Sequence, residues 1–272
     1  MSQLIDRNQG RQLFGADPDN YERIRPPYPE QVYQILVESG GVYRGASAFE
    51  VGAGNGLATR RILELGADPV VALEPDERFH PLLHNLAEST QARLMVVSPP
   101  FEEVELPEAS FDLGLAATSF HWIDQAAGLN KVGRLLKPGG TWAMWWNVFG
   151  DPEREDHFHE ATRELLRSLA VSPSGGSNAI PFALDTGARL RDIAACGCLS
   201  LVHVEVIRWS ITLDAGQVRS LYSTFSQFQL LPPAERAALL DRLADVAETQ
   251  FGGAVERNMT TPVYIAKRLV TA

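Results

Sequence analysis

The sequence predicts an α/β fold: a mostly parallel sheet covered by helices on both faces, with helical additions. Three observations carry this. Short apolar runs alternate with helical patterns over roughly the first half of the chain. The first run ends in a glycine loop that opens a helix. Two late strand patterns are separated by a long helical block. With 272 residues and 45% hydrophobic content the chain can bury a sizeable core, and it reads as one elaborated domain.

In order along the chain, "SAFEVGAG" (47–54) is a buried strand running into a glycine turn. "GLATRRILELG" follows as a helix, with Leu57, Ile62 and Leu65 near helical spacing and Gly66 as its stop. "PVVALEP" (69–75) is the second strand, "FHPLLHNLAES" a helix, "ARLMVVS" (92–98) the third strand and "FDLGLAATS" (111–119) the fourth. "QAAGLNKVGRLL" (125–136) is the next helix, and "KPGG" (137–140) turns into a fifth strand, "TWAMWWN". "DPEREDHFHEATRELLRSLA" predicts a helix capped by Asp151 with Pro152 in its first turn and Phe158, Ala161, Leu165 and Leu169 on one face. The loop "VSPSGGSNA" joins it to the helix "ARLRDIAACG" and the strand "LVHVEVIRWSITL" (201–213). A helical block from Ala215 to Gln250, with Leu239, Leu243 and Val246 in register, precedes a final strand, "PVYIAKRLV".

Composition narrows the function classes. The net charge of −10 and pI near 5.1 remove the overall electrostatic drive for binding nucleic acid. No apolar run has the length of a membrane span, and the N-terminus lacks a signal-peptide core, so a soluble, cytoplasmic protein without a membrane partner is expected. Cys196 and Cys198 are too few for a disulfide framework, which fits a reducing compartment.

Glycine tolerates positive φ and brings no side chain, so the loop lets a ligand sit against the main chain before a helix. Dinucleotide and S-adenosylmethionine sites both use this device. Gly52, Gly54 and Gly56 form GxGxG, whereas the dinucleotide fingerprint wants a small residue at Leu57, which weakens the oxidoreductase reading. Glu50 lies inside an apolar strand, where a buried carboxylate needs a cation or donors. Glu74 ends the second strand, where a carboxylate can accept hydrogen bonds from two ribose hydroxyls. The bland alternatives are a tight turn at Gly52–Gly56 and a helix cap at Glu74.

The motifs "FEVGAGNG", "ALEPDERF", "FEEVELPEASFDLGLAATSFHWID" and "RLLKPGGTWAMWWN" resemble those of class I S-adenosylmethionine-dependent methyltransferases, within them the methyltransferase type 11 and trans-aconitate methyltransferase-like group. "LFGADPDNYERIRPPYP" and "YIAKRL" extend the resemblance to most of the chain. It implies a Rossmann-like seven-stranded sheet with its last strand antiparallel. It also implies S-adenosylmethionine as cofactor and S-adenosylhomocysteine as product. The organisation it suggests is an N-terminal lid and first helix (1–45), a cofactor-binding core (46–150), a cap (151–183), further core (184–214), a second helical cap (215–258) and the final strand (259–272).

Carried onto this chain, Glu50, Gly52, Ala53, Gly54 and Gly56 would surround the methionine moiety and Glu74 the ribose. Pro75 would flank the adenosine, with Phe101 and Glu102 near the adenine. Ala117 and Thr118 would contact the methionyl end, and Tyr21 and Arg25 would close over the cofactor, Arg25 pairing with its carboxylate.

Methyl transfer from a sulfonium needs a nucleophile aligned behind the methyl carbon in a water-poor pocket. "SFHWID" (119–124) is expected at the pocket mouth, with Phe120 and Trp122 beside the substrate and His121 as the candidate base for a hydroxyl or amine acceptor. Ordering the loop or packing under Trp122 is the competing role for His121, and a carboxylate acceptor needs no base. Of Trp145 and Trp146, one should face the sheet packing and the other, taken as Trp146, the acceptor pocket. In "RSLYSTFSQF", Tyr222, Ser223 and Phe225 are candidate substrate contacts, and Arg25 or Arg208 candidate anion partners.

"SPPF" (98–101) is similar to the signature of amino-methylating nucleic-acid enzymes, but it follows the third strand where that signature belongs after the fourth. No metal site is expected. His157 and His159 point to different helix faces, "CGC" lacks a second cysteine pair, and His80 and His84 lack an HExxH glutamate. The expected activity is methylation of an O, N or carboxylate nucleophile on a small molecule. The alternatives are a non-catalytic cofactor-binding accessory protein and a macromolecular methyltransferase.

Overall fold

The computed structural model describes residues 5–6, 10–175 and 180–270. β1 (Ala48–Val51), β2 (Val70–Leu73), β3 (Leu94–Val97), β4 (Phe111–Ala117) and β5 (Leu136–Trp145) form a parallel array ordered β3-β2-β1-β4-β5. β6 (Val148–Phe149) prolongs the line of β5, and β7 (Leu199–Leu213) and β8 (Val255–Arg268) complete the sheet. β8 pairs antiparallel with β5 and with β7 over the same residues, 263–267, and so lies between them. The late antiparallel strand that the resemblance implies is present.

The helices are α1 (Pro18–Ile24), α2 (Glu30–Glu38), α3 (Leu57–Glu64), α4 (His80–Thr90), α5 (Gln125–Leu135), α6 (His157–Leu166), α7 (Thr186–Ala195), α8 (Ala215–Ser223), α9 (Ser226–Gln229) and α10 (Pro233–Phe251). Side chains of a strand alternate between sheet faces, and the core divides accordingly. Phe49, Val51, Trp142, Met144 and Trp146 pack with Leu129, Val132 and Ile193 of α5 and α7. Ala48, Leu113, Ala143 and Trp145 pack with Val32, Leu36, Ala58 and Ile62 of α2 and α3. With both faces covered, β1 and β2 are buried at every position, which is why they read as continuous apolar runs. Burial of one such side chain as large as Phe49 contributes about 1.5–3 kcal/mol.

Strand order reverses between β1 and β4, so a crevice opens at their carboxyl ends, the place where open α/β sheets bind ligands. A separate apolar cluster, with Phe158, Leu213, Tyr222, Phe228, Leu243 and Val255 at its centre, joins α6, α8, α9 and α10 to the far ends of β7 and β8. It forms the helical addition above the sheet.

Local departures from the sequence reading have physical causes. The helix expected from Asp151 starts at His157. Asp151 instead closes a turn, accepting from the Glu153 amide and pairing with Arg154 and Arg208, while Asp156 is the true cap and accepts from the His159 amide. Thr162 rather than Ala161 is buried on that helix. The block 215–250 is three helices, and the last strand begins at Val255, well before Pro262. Positions 176–179 of the expected 171–179 loop lie outside the described residues.

Candidate active site

A cavity of about 400 Å³ lies over the carboxyl ends of β1, β2, β4 and β5. The glycine loop forms one wall. Gly52, Gly54 and Gly56 have φ of 70°, 55° and 78°, the left-handed region that disfavours side chains. A Cβ on Gly52 would also come within 2.7 Å of Ser119 Cβ, whose hydroxyl donates to the Val51 carbonyl. The loop amides are largely taken up internally: those of Gly52 and Ala53 donate to the Leu73 carbonyl, that of Gly54 to Glu74, and that of Gly56 to the Ala53 carbonyl. What the loop offers a ligand is therefore close approach to bare backbone more than a row of free donors.

Two carboxylates flank this loop. Glu50, 1% exposed, faces α3 and accepts from Thr59 Oγ1 at 2.5 Å. Burial pushes its pKa up to about 8 against the opposing pull of Thr59, with Glu74 adding repulsion. Glu74 accepts from the Gly54 amide at 2.7 Å and from the Asp76 amide at 2.9 Å. Burial raises it to about 7, those two backbone bonds opposing. Both groups would gain from a cation brought into the cavity.

The N-terminal segment covers the opening. Phe14 packs edge-on to Tyr21 and Trp122, and Tyr21 to Phe79. Arg11 makes a two-pronged bond to Glu102 and a third to the Trp122 carbonyl. The Gly15 amide donates to Asp76 at 3.1 Å. The Arg25 guanidinium stacks on Tyr21 and Phe225, 4.8 and 5.0 Å from their centroids, and donates to the Thr224 carbonyl. Its Nε is buried without a hydrogen-bond partner.

On the opposite side, β4 ends in Ala117 and in Thr118, whose φ of 56° is unusual for a β-branched residue. Thr118 Oγ1 accepts from Tyr28 Oη at 3.0 Å and from the Asn147 amide at 3.3 Å. His121 follows in a short 3-10 turn (Phe120–Trp122). It is buried, and its Nδ1 accepts from Trp146 Nε1 at 3.0 Å. Trp122 and Phe182 pack against its ring.

The cavity thus gathers Tyr21, Arg25, Glu50, Gly52, Ala53, Gly54, Glu74, Pro75, Phe101, Ala117, Thr118, His121, Trp122 and Trp146 of the residues named from sequence. Four others lie off its wall. Gly56 is the N-cap of α3, with its α-carbon turned toward Leu83 and Leu86. Glu102 is engaged by Arg11 at the rim. Phe120 is fully buried against Trp142. Tyr222 sits in the helical addition, where its hydroxyl accepts from Arg257 at 2.5 Å.

Arg208 is neutralised by Asp151 and Glu153, and Ser223 bonds to Asn20 and the Ser220 carbonyl; Phe225 does line the cavity. Trp145 is the tryptophan that faces the packing, against Tyr28 and Tyr33. Sequence reasoning missed Arg11, Phe14, Phe79, Phe149 and Phe182, all on the wall. Phe14 and Phe79, each inside a quoted motif, carried a local signal, whereas Arg11, Phe149 and Phe182 did not. "SPPF" follows β3, where Phe101 stacks on Phe49. Among the described residues no group of three or more His, Cys, Asp or Glu side chains is placed to hold a metal, and no helix is long and apolar enough to cross a membrane.

Comparison with known proteins adds the following. Residues 49–144 match the family model described as a methyltransferase domain. An uncharacterized methyltransferase of Mycobacterium tuberculosis is 34% identical over 135 residues, 50% of this chain and 52% of that protein, so the chain spans about half the length of such curated relatives. An uncharacterized methyltransferase-like protein of Schizosaccharomyces pombe is 26% identical over 236 residues, 87% of this chain and 86% of that one. In fold, the chain is similar to phosphoethanolamine N-methyltransferase 2 of Haemonchus contortus, solved with S-adenosyl-L-methionine. The TM-score there is 0.55 at 15% identity, covering 94% of this chain and 57% of that one. Residues 49–144, which run from β1 into β5, are thus similar to the methyltransferase domain that this model describes, and they carry the glycine loop and both carboxylates of the cavity wall.

Proposed function

We propose that the cavity binds S-adenosylmethionine and that the protein transfers the methyl group, by in-line displacement, to an O, N or carboxylate nucleophile of a small molecule. One observation carries this reading. A bare glycine loop and two buried carboxylates, Glu50 and Glu74, line one wall of a cavity at the strand-order switch, within the residues that match a methyltransferase-domain model.

The donor set suits that cofactor. Glu74 stands at the end of β2 to accept from ribose hydroxyls. The raised carboxyls near the loop favour a cationic ligand, and the buried, unpartnered Arg25 Nε offers a donor to a carboxylate. Pro75 and Phe101 flank the adenosine side, while Ala117 and Thr118 bound the methionyl end. When bound, S-adenosylmethionine supplies an electrophilic methyl group on a sulfonium.

The chain's own residues do the rest. Arg11, Phe14 and Tyr21 close the opening and exclude water, and Trp122, Trp146, Phe149, Phe182 and Phe225 shape an apolar compartment for the acceptor. His121 contributes a polar edge to that compartment. The cavity volume and the acidic surface favour a small acceptor over a nucleic acid, and two free thiols accord with a cytoplasmic setting.

Calorimetric titration with S-adenosylmethionine and S-adenosylhomocysteine, on the wild type and on Glu74→Ala, tests the reading. Saturable binding weakened in the variant is expected. Absence of heat with a folded wild type sinks the methyltransferase assignment. Binding without methyl transfer to any of a broad acceptor panel would favour an accessory role.

A further inference from the structure

We infer that Asn20 is a positioning residue that fastens the N-terminal segment to the helical addition, so that closing over the cofactor and walling the acceptor compartment at Phe225 are one event. The consequence rests on the proposed reading that the cavity binds S-adenosylmethionine. The premise rests on hydrogen bonds that involve no ligand.

Asn20 lies in the first turn of α1, is buried, and stands off the cavity wall. Its amide nitrogen donates to the Ser220 carbonyl at 3.1 Å and to Ser223 Oγ at 3.2 Å, both on α8. Its amide oxygen accepts from Arg23 at 3.0 Å. The neighbours fix this orientation. Ser223 directs its own proton to the Ser220 carbonyl, at 2.7 Å, so both atoms facing the amide nitrogen can only accept, and the guanidinium on the other side can only donate. The last four carbonyls of a helix have no partner within it, and that of Ser220 is one of them on α8. The N-terminal segment thus helps to complete the end of α8.

Further along the same segment, Arg25 donates to the Thr224 carbonyl at 3.0 Å, and its guanidinium stacks on both Tyr21 and Phe225. Ile24 adds an apolar contact with the cluster of the addition. Toward the cofactor wall, the segment grips the end of β2 through the Gly15 amide on Asp76 and Tyr21 on Phe79. It therefore bridges the two halves of the cavity: Tyr21 and Arg25 line one side, and Phe225, Ser226 and Gln227, where α8 passes into α9, line the other. Apolar contact is non-directional, whereas two hydrogen bonds from one amide fix both the distance and the direction between α1 and α8. A ligand that holds Tyr21 and Arg25 over the glycine loop thereby holds Phe225 as well. The cofactor completes the acceptor compartment before an acceptor arrives.

Asn20→Asp separates this coupling from mere stability. It keeps the shape and removes both donors, while a carboxylate in the first turn favours α1 through the helix dipole. Hydrogen–deuterium exchange reads the premise on the ligand-free protein. Exchange of residues 215–223 is expected to accelerate in Asn20→Asp, and less so in Ser223→Ala, which removes one of the two acceptors. Wild-type exchange in both variants refutes the tie. With saturating S-adenosylhomocysteine, the wild type is expected to gain protection over residues 215–229. Asn20→Asp is expected to bind about tenfold more weakly by calorimetry and, when saturated, to show no such gain. A saturated wild type without added protection there, or a variant that retains it, overturns the coupling. A folded wild type that gives no heat with S-adenosylhomocysteine sinks the cofactor reading instead, and the ligand-free comparison still decides the tie.

Discussion

The Gly54 amide donates to Glu74 Oε2 at 2.7 Å, which makes the glycine loop and the end of β2 one hydrogen-bonded unit. The second carboxylate oxygen takes the Asp76 amide, so Glu74 orders both loops that border the cavity. Glu74→Ala leaves two amides without their partners and is expected to cost about 1–3 kcal/mol of stability in addition to any loss of ligand affinity. Chemical denaturation of the ligand-free variant measures that cost. A stability equal to wild type would show that the two amides find other partners.

The pH dependence of stability follows from the two buried acids. Glu50 and Glu74, ordinarily near 4.5, stand near 8 and near 7 in the folded chain because burial disfavours their charged forms. The folded chain therefore holds more protons than the unfolded chain across this interval. Their contribution is fully present below the ordinary carboxyl range and is lost as pH rises through the folded values. The ligand-free protein is expected to melt at progressively lower temperature from pH 5 to pH 9. Glu50→Gln should flatten this trend and raise the melting temperature at pH 9, while weakening a cationic ligand. Melting curves across pH decide it, and an unchanged slope in the variant would contradict the assignment.

Closure over the cavity depends on close backbone approach at Gly15. Its amide donates to Asp76, and an added Cβ would lie 2.3 Å from Asp76 Oδ2. Gly15→Ala must push the segment Phe14–Ala16 away from the end of β2. Dissociation of a bound cofactor, followed by stopped-flow fluorescence, is expected to accelerate about tenfold, the equivalent of roughly 1.4 kcal/mol. An unaltered off-rate would mean that this segment is not the barrier to release.

The helical addition is tied to β8 by a buried ion pair. Arg257 Nε meets Asp156 at 2.8 Å, with side chains 3% and 8% exposed, and Arg257 also donates to Tyr222. Removing one partner strands a buried charge, so Arg257→Met is expected to cost about 3–5 kcal/mol, and Asp156→Asn in the same chain to recover part of it. A double-mutant cycle by denaturant unfolding reads both. Strict additivity of the two losses would refute the coupling.

What could be read in the sequence were the features carried by neighbouring residues. The runs around Phe49, Val71 and Leu115 announce strands because strands covered on both faces need continuous apolar side chains. Gly52 and Gly54 announce their loop because positive φ is costly for any other residue. Glu50 and Glu74 were conspicuous for a similar local reason, the first a charge within an apolar run and the second a charge at the end of one. Asp151 misled because a cap and a turn look alike locally, and the deciding partner, Arg208, lies on another strand.

Tyr222 was taken for a substrate contact because aromatic residues at helical spacing do not reveal which way they face, and only folding brings Arg257 to it. The cavity wall itself, from Phe14 through Phe149 to Phe225, and the Trp146–His121 bond join segments far apart in the chain. The sequence by itself determined the sheet, its glycine loop and the acids beside it, since backbone preference and hydrophobic pattern act over a few residues. The tertiary structure alone decided that Trp146 meets the His121 ring and which arginines keep an open donor, because each depends on partners supplied by packing.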